Sequence, residues 1–321
     1  MSKKNIYPLC AETFKKWSLS NEKYTNILLN LGILELFDVT LRDGLQSLTV
    51  EEQLSITTND KLKMYNNIKF NYNVQNIEIG SIVSEKVLPV FKDTLKILQI
   101  LHNYTEKTNN YILIPNKNKL GEMFNNKNFH KNKIRHLSLI TSVSNSFQLK
   151  NTKMSLNDSD NDINAILDNL NYIHEDGSVT IPKIKLYVSC INECPIEGKI
   201  DNDFIVNRLL KLSKMNIDNI CLSDTCGTLT PDDFEYIVET CLYFGLQSSR
   251  LSLHLHVNPE RESVVEQIFF KALDYKILKF DISNLKTGGC SVTMKKEQLT
   301  PNLSYELYYK YLCRYIMKKV L

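Results

Sequence analysis

Long apolar runs are missing from this sequence, and none approaches the roughly 18 apolar residues that a membrane-spanning helix needs. The basic start, MSKKNIYPLC, has neither the apolar core of a secretory leader nor an Arg-rich amphipathic pattern. The final KKVL is not a peroxisomal tripeptide, so the cytoplasm is the expected location. Charge of one sign is equally scarce: 39 Lys and Arg against 36 Asp and Glu leave a net +3, which gives no electrostatic footprint for nucleic acid. The 8 cysteines form neither the paired C-x-x-C units of a zinc site nor a small-domain disulfide framework. Cys190 and Cys194 stand four apart, a spacing that by itself points to no metal, and reduced thiols are expected. Lys and Asn crowd the stretch from Asn103 to Lys133, which reads as solvated surface.

What the chain does contain is a repeating succession of short runs rich in β-branched and apolar residues. They are Leu34–Leu41, Val74–Ile79, Tyr111–Ile114, Ile134–Val143, Ile184–Ser189, Asn219–Ser223, Arg250–Val257 and Leu278–Ser283. The intervals leave room for a helix between most neighbours, as an α/β fold of the TIM (β/α)8 barrel type requires. Residues 231–245 read as one such helix, with Thr230 as N-cap, Pro231 in the first turn, Asp232 and Asp233 at the positive end and Gly245 closing it. Ser84 to Leu101 carries an apolar stripe at helical period and predicts another. No linker divides the chain. The expected organisation is an N-terminal extension over 1–33 and a barrel domain over 34–321, whose Tyr-rich helical tail starts at about 301.

Polar residues cluster at the ends of these runs. Arg42 and Asp43 follow the first, Glu78 closes the second and Asn116 follows the third; Ser142 and Ser144 end the fourth, and Ser189 and Cys190 the fifth. Asp224, the pair His254 and His256, and Asn284 complete the set. Barrel enzymes assemble their sites at this rim, so the pattern points to catalysis. In Leu253-His254-Leu255-His256, strand alternation turns both imidazoles one way and the leucines the other. Two imidazoles separated by about 7 Å of strand can converge on one ion. Asp43 supplies a carboxylate from another strand end, and Gly44 permits the sharp turn after it. One carboxylate with two imidazoles leaves positions open for an oxygen-bearing substrate and suits Mg²⁺, Mn²⁺ or another divalent ion. Arg42 beside such an ion is a donor for a developing oxyanion.

The segment DVTLRDGLQ resembles the opening signature of the metallolyases that include 3-hydroxy-3-methylglutaryl-CoA lyase, homocitrate synthase, isopropylmalate synthase and carboxylases acting through pyruvate. Gly-Leu-Gln at 44–46, IEIGSIVSEKVLP (Ile77–Pro89) and SCINECPIEGKI (Ser189–Ile200) are most similar to the CoA lyase branch, while LSDTCGTLTP (Leu222–Pro231) and GGC at 288–290 resemble motifs of the family. The resemblance implies that Asp43, His254 and His256 bind the metal, with Asn302 as a further ligand. It implies that Arg42 stabilises an enolate, that Glu78 and Asp224 orient groups or relay protons, and that Cys290 rides on a mobile loop. His254 is the expected proton-transfer group. The implied reaction is retro-Claisen cleavage of 3-hydroxy-3-methylglutaryl-CoA, or a related 3-hydroxyacyl-CoA, to acetyl-CoA and acetoacetate. An acyl-CoA is thus the expected partner, without nucleic acid or membrane, and a homodimer is left open.

The sequence departs from the family pattern in places. After the histidines it reads Val257-Asn258-Pro259-Glu260, Ile196 replaces a tyrosine, Asn145 replaces a carboxylate, and SVTMKKEQLTP follows Cys290. Lys295 and Lys296 in that last segment could attract the phosphates of CoA. Two alternatives remain open from sequence: a family member acting on a 2-oxo acid, and a non-catalytic barrel serving as a scaffold.

Overall fold

The computed structural model describes residues 11–72, 74–102, 108–126, 134–170, 172–173 and 179–321. The basic first ten residues and part of the Lys- and Asn-rich stretch after Asn103 lie outside these. Eight parallel strands close into a barrel: β1 (Glu35–Asp38), β2 (Asn76–Ser81), β3 (Asn109–Ile114), β4 (His136–Ser142), β5 (Lys183–Ser189), β6 (Asn219–Asp224), β7 (Leu251–Leu255) and β8 (Lys279–Ile282). Each pairs with its sequence neighbours, and β1 pairs with β8 through Glu35 to Lys279 and Asp38 to Ile282 to complete the ring. All eight expected runs supply a strand.

Side-chain alternation explains how the strands serve two environments. In β5, Ile184, Leu186 and Val188 join the core between strands and helices, whereas Tyr187 packs inside the barrel with Leu113 and Cys221. In β7, Leu251, Leu253 and Leu255 are buried against the helices. Each such side chain contributes roughly 1.5–3 kcal/mol on leaving water, so a one-residue slip of register would expose the apolar set and is strongly opposed.

The helix opening at Pro231 runs to Tyr243, and the Thr230 hydroxyl accepts from the Asp233 amide as its cap (3.1 Å). The stretch Ser84 to Leu101 differs from expectation. Its first half is a turn followed by a 3₁₀ turn at Pro89–Phe91, and an α-helix forms only over Thr94–His102. Pro89 explains the break, since proline lacks an amide and pushes the preceding Leu88 out of the helical region (ψ 84°).

Helices Ala11–Leu19 and Glu22–Leu31 precede β1, and helix Tyr305–Val320 ends the chain. Their aromatic residues bring them together: Phe14 meets Tyr309 at 5.4 Å between ring centres, and Trp17 stacks on Tyr24 at 4.6 Å. No helix among the described residues is long and apolar enough to cross a membrane.

Candidate active site at the strand ends

The turn after β1 begins on Asp38. Its buried carboxylate accepts from the Thr40 amide (2.9 Å), the Thr40 hydroxyl (3.0 Å) and the Tyr305 hydroxyl (2.6 Å). Residues Thr40–Gly44 then wind into a wide π-type turn, in which the Gly44 amide reaches back to the Val39 carbonyl (3.1 Å). Such turns recur at functional sites because they crowd consecutive side chains together. Here Arg42 and Asp43, adjacent in sequence, both line one cavity of about 140 Å³.

Glu78 approaches Arg42 from β2, where the pairing to β3 shifts register between Glu78 and Ser81. Gly80 within that irregularity has φ +153°, and a Cβ there would meet the Thr94 hydroxyl at 2.5 Å. Arg42 Nε donates to Glu78 (2.5 Å) and Nη1 to Asp43 Oδ1 (2.6 Å), and the Tyr187 hydroxyl donates to the same Glu78 oxygen (3.0 Å). The other amino group of Arg42 has no protein partner among the described residues. Burial opposes charging Asp43, but Arg42 and the two imidazoles outweigh it and hold the carboxyl well below the ordinary range.

His254 and His256 enter from the end of β7. Their Nε2 atoms lie 3.2 Å apart, and Asp43 Oδ2 is 3.9 Å from the first and 3.8 Å from the second. The opposite ring atoms are both engaged. His256 Nδ1 donates to the Thr225 carbonyl (3.2 Å), and His254 Nδ1 is 3.1 Å from Asp281 Oδ2. A carbonyl can only accept, and Asp281 is held below the ordinary carboxyl range because Lys185 and His254 outweigh its burial. Both Nδ1 atoms therefore carry the proton when the rings are neutral, and both Nε2 lone pairs point to one spot.

Asn302 completes this corner. Its amide nitrogen donates to Asp43 Oδ2 (2.9 Å) and to the Thr287 carbonyl (3.2 Å), while its buried Oδ1 has no partner. Two imidazole lone pairs, a carboxylate oxygen and an unpartnered amide oxygen make a donor set that fits a divalent cation, with each imidazole backed by an acceptor as metal ligands usually are. Asp43, His254 and His256 together form a buried cluster able to hold a metal ion.

Other candidates from sequence fall elsewhere. Asp224 does not line the cavity: its two oxygens accept from the amides of Thr228 (3.0 Å) and Leu229 (3.1 Å). Burial raises its pKa to about 6, against the pull of those amides. Asn116 and Ser144 cap the helices that follow β3 and β4, and Asn284 is exposed beside the Tyr72 hydroxyl. Cys290 does line the cavity, its Sγ 3.7 Å from Asn151 Oδ1, with burial raising its pKa. The neighbouring Gly289 amide donates to Asp43 Oδ2 (3.0 Å). The loop bearing Cys290 is tied to the first turn by Thr287 to the Gly44 carbonyl (2.8 Å) and Ser291 to the Gln46 carbonyl (2.9 Å).

Sequence reasoning passed over Lys185, Tyr187 and Asp281, which stand inside the barrel. A signal existed: in Lys183-Ile184-Lys185-Leu186-Tyr187-Val188-Ser189 the polar residues alternate with the apolar ones, and Asp281 interrupts the apolar Phe280–Ile282 run. A charge on the lumen side of a barrel strand needs a partner across the lumen.

Comparison with known proteins agrees with this arrangement. The HMGL-like family model matches residues 33–259. Hydroxymethylglutaryl-CoA lyase YngG of Bacillus subtilis is 26% identical over 254 residues, covering 79% of this chain and 77% of that protein. The cytoplasmic 3-hydroxy-3-methylglutaryl-CoA lyase of Rattus norvegicus is 24% identical over 70% of this chain, which spans 59% of that relative. Among solved structures, hydroxymethylglutaryl-CoA lyase from Pseudomonas aeruginosa superposes with a TM-score of 0.69 at 21% identity, covering 84% of this chain and 82% of the other. An HMG-CoA lyase from Acinetobacter baumannii in complex with coenzyme A and 3-methylmalate gives 0.68 at 22% identity, covering 90% of each chain. With the barrel and its rim cluster, the family match makes this chain a lyase of the HMGL-like family.

Proposed function

We propose that this protein cleaves a 3-hydroxyacyl-CoA thioester, 3-hydroxy-3-methylglutaryl-CoA or a close relative, by a retro-Claisen reaction that depends on a divalent cation, Mg²⁺ or Mn²⁺. The observation that carries the reading is the convergence of two imidazole lone pairs, 3.2 Å apart, on the carboxylate of Asp43. Relatives named as hydroxymethylglutaryl-CoA lyases, and a similar fold solved with coenzyme A, support the thioester substrate.

In this reading Asp43, His254, His256 and Asn302 Oδ1 hold the cation. The bound ion supplies Lewis acidity toward the hydroxyl and carboxylate oxygens of the substrate. The substrate carbon–carbon bond breaks as its 3-hydroxyl loses a proton, giving acetoacetate and the enolate of acetyl-CoA, which is then protonated. Arg42 meets the enolate oxygen with the amino group left free by Glu78 and Asp43, a fixed donor placed where charge develops. Glu78 and Tyr187 hold that guanidinium in place. His254 is the proposed proton-transfer group, and Asp224 positions the turn whose Thr225 carbonyl orients His256. Cys290 and the apolar side chains of Leu113, Ile140 and Phe147 wall the acyl end of the cavity.

The test is a panel of acyl-CoA thioesters and free 2-oxo acids, each with and without Mg²⁺ or Mn²⁺. Cation-dependent thioester cleavage is expected, and His256→Ala should abolish both Mn²⁺ binding and turnover. Turnover of 2-oxo acids in preference to every thioester would overturn the substrate class. Equal Mn²⁺ binding by wild type and His256→Ala would overturn the ligand set.

A further inference from the structure

The proposed chemistry uses the edge of His254 that faces the cavity. Behind its other edge lies an ion pair inside the barrel: Lys185 of β5 with Asp281 of β8, side-chain exposures 3% and 1%. These two strands are not neighbours, since β6 and β7 stand between them in the ring, so the pair spans the lumen. The Lys185 ammonium lies over the Phe37 ring at 3.5 Å and beside the Tyr187 ring at 4.8 Å. Burying such a pair is costly, and an apolar filling of the same volume is often as stable or more so. Stability alone is therefore a poor reason for charges in this layer.

The geometry supplies another. Lys185 occupies Asp281 Oδ1, which leaves Oδ2 to face His254 Nδ1 at 3.1 Å and the Cys221 thiol at 3.8 Å. A carboxylate oxygen can only accept, so it selects the imidazole form protonated at Nδ1. A free imidazole in water favours the other form, with the proton on Nε2. His256 is fixed differently, by the backbone carbonyl of Thr225, which needs no supporting side chain. Among the described residues His254 has no such carbonyl partner and depends on Asp281.

We infer that Asp281, held by Lys185, is a positioning residue that fixes the Nδ1–H tautomer of His254 and so aims its Nε2 lone pair at the cation site. The inference rests on the cation-binding reading above. It concerns neither the ligand set nor the substrate, but the layer beneath them. Where a carboxylate holds an imidazole in this way, its amide replacement permits the wrong tautomer.

Two measurements test it. Long-range proton–nitrogen correlation spectra of the metal-free wild type, above neutral pH, read the tautomer directly, with the His254 signals assigned by their loss in His254→Gln. The expected form is Nδ1–H. The double variant Asp281→Asn with Lys185→Met leaves no unpaired buried charge, and should move His254 toward Nε2–H and weaken Mn²⁺ binding about 10–100-fold, the usual effect of removing a ligand's supporting partner. An Nε2–H signal for His254 in wild type overturns the inference without any variant. Equal Mn²⁺ affinity in wild type and a folded double variant overturns it too. Failure of wild type itself to bind Mn²⁺ instead sinks the function proposed above, while the tautomer spectrum still decides this point.

Discussion

Arg42 has three nitrogens with different employment, and that division makes its role testable. Nε and Nη1 are committed to Glu78 and Asp43, which leaves one amino group of a side chain that lines the cavity. Arg42→Lys keeps a cation between the two carboxylates but cannot hold both and still present a free donor. Turnover should fall about 10²–10³-fold, as for loss of one oxyanion donor, with Mn²⁺ affinity retained. Wild-type turnover in the lysine variant would leave Arg42 as an ion-pair residue. Residues of this kind were the most legible in the sequence: Arg42, Asp43, His254 and His256 stand in short contiguous motifs, and the strand period alone sets which way they face. Asp281 and Lys185 show in the sequence only as charges interrupting apolar strand runs; their pairing was not legible, because it is a contact between residues 96 positions apart across the lumen. Asp224 was ambiguous for the opposite reason. A carboxylate at a strand end looks the same in sequence whether it serves a reaction or the amides of its own turn, and its oxygens take those of Thr228 and Leu229.

The elements that carry the site are two loops locked against each other. The π-type turn after β1 is pinned by Asp38 to Thr40 and Tyr305, and the loop after β8 by Thr287 and Ser291 to residues 44 and 46. Asn302 reaches Asp43 where the second loop returns, beside an isolated bridge between His256 and Asn302. Gly288 is the tight point of that return: a Cβ there would fall 2.6 Å from Asn302 Nδ2 and 2.8 Å from its backbone nitrogen. Gly288→Ala must displace Asn302, so Mn²⁺ affinity should drop about 10-fold or more in calorimetric titration. Unchanged affinity would remove Asn302 from the ligand set. The helix opening at Pro231 gives a control far from chemistry: Thr230→Ala loses the cap bond to Asp233 and should cost about 1 kcal/mol in urea unfolding, with Mn²⁺ binding unaffected. Strand and capping signals of this sort are local, so the sequence displays them. The break at Pro89 was readable as well, but the apolar stripe around it obscured the proline.

At the scale of the whole molecule, the barrel must hold its helical shell in register, and one buried charge cluster does this across three elements. Arg208, from helix Asn202–Leu212, donates to Asp160 of helix Leu156–Asp168 (2.6 Å), to the Thr141 hydroxyl (2.9 Å) and to the Ser142 carbonyl of β4 (3.1 Å). Lys211 adds a second cation at 2.7 Å from the same Asp160 oxygen. Burial opposes the Asp160 charge, yet the bonds to Arg208 and Lys211 prevail and set its pKa below the ordinary value. A carboxyl depressed in the folded state leaves the unfolded chain binding more protons over the interval between the two pKa values. The stabilisation is therefore complete above the unfolded value of about 3.9 and is lost as pH falls through the folded one. Asp160→Asn leaves Arg208 buried without its counter-charge, which typically costs about 3–5 kcal/mol. Urea unfolding at a series of pH values should show that loss in full near neutrality. The gap between wild type and variant should then narrow as acid protonates Asp160 in the wild type. A gap that stays constant into the acid range would mean that packing around Arg208, rather than its charge, is what Asp160 supports.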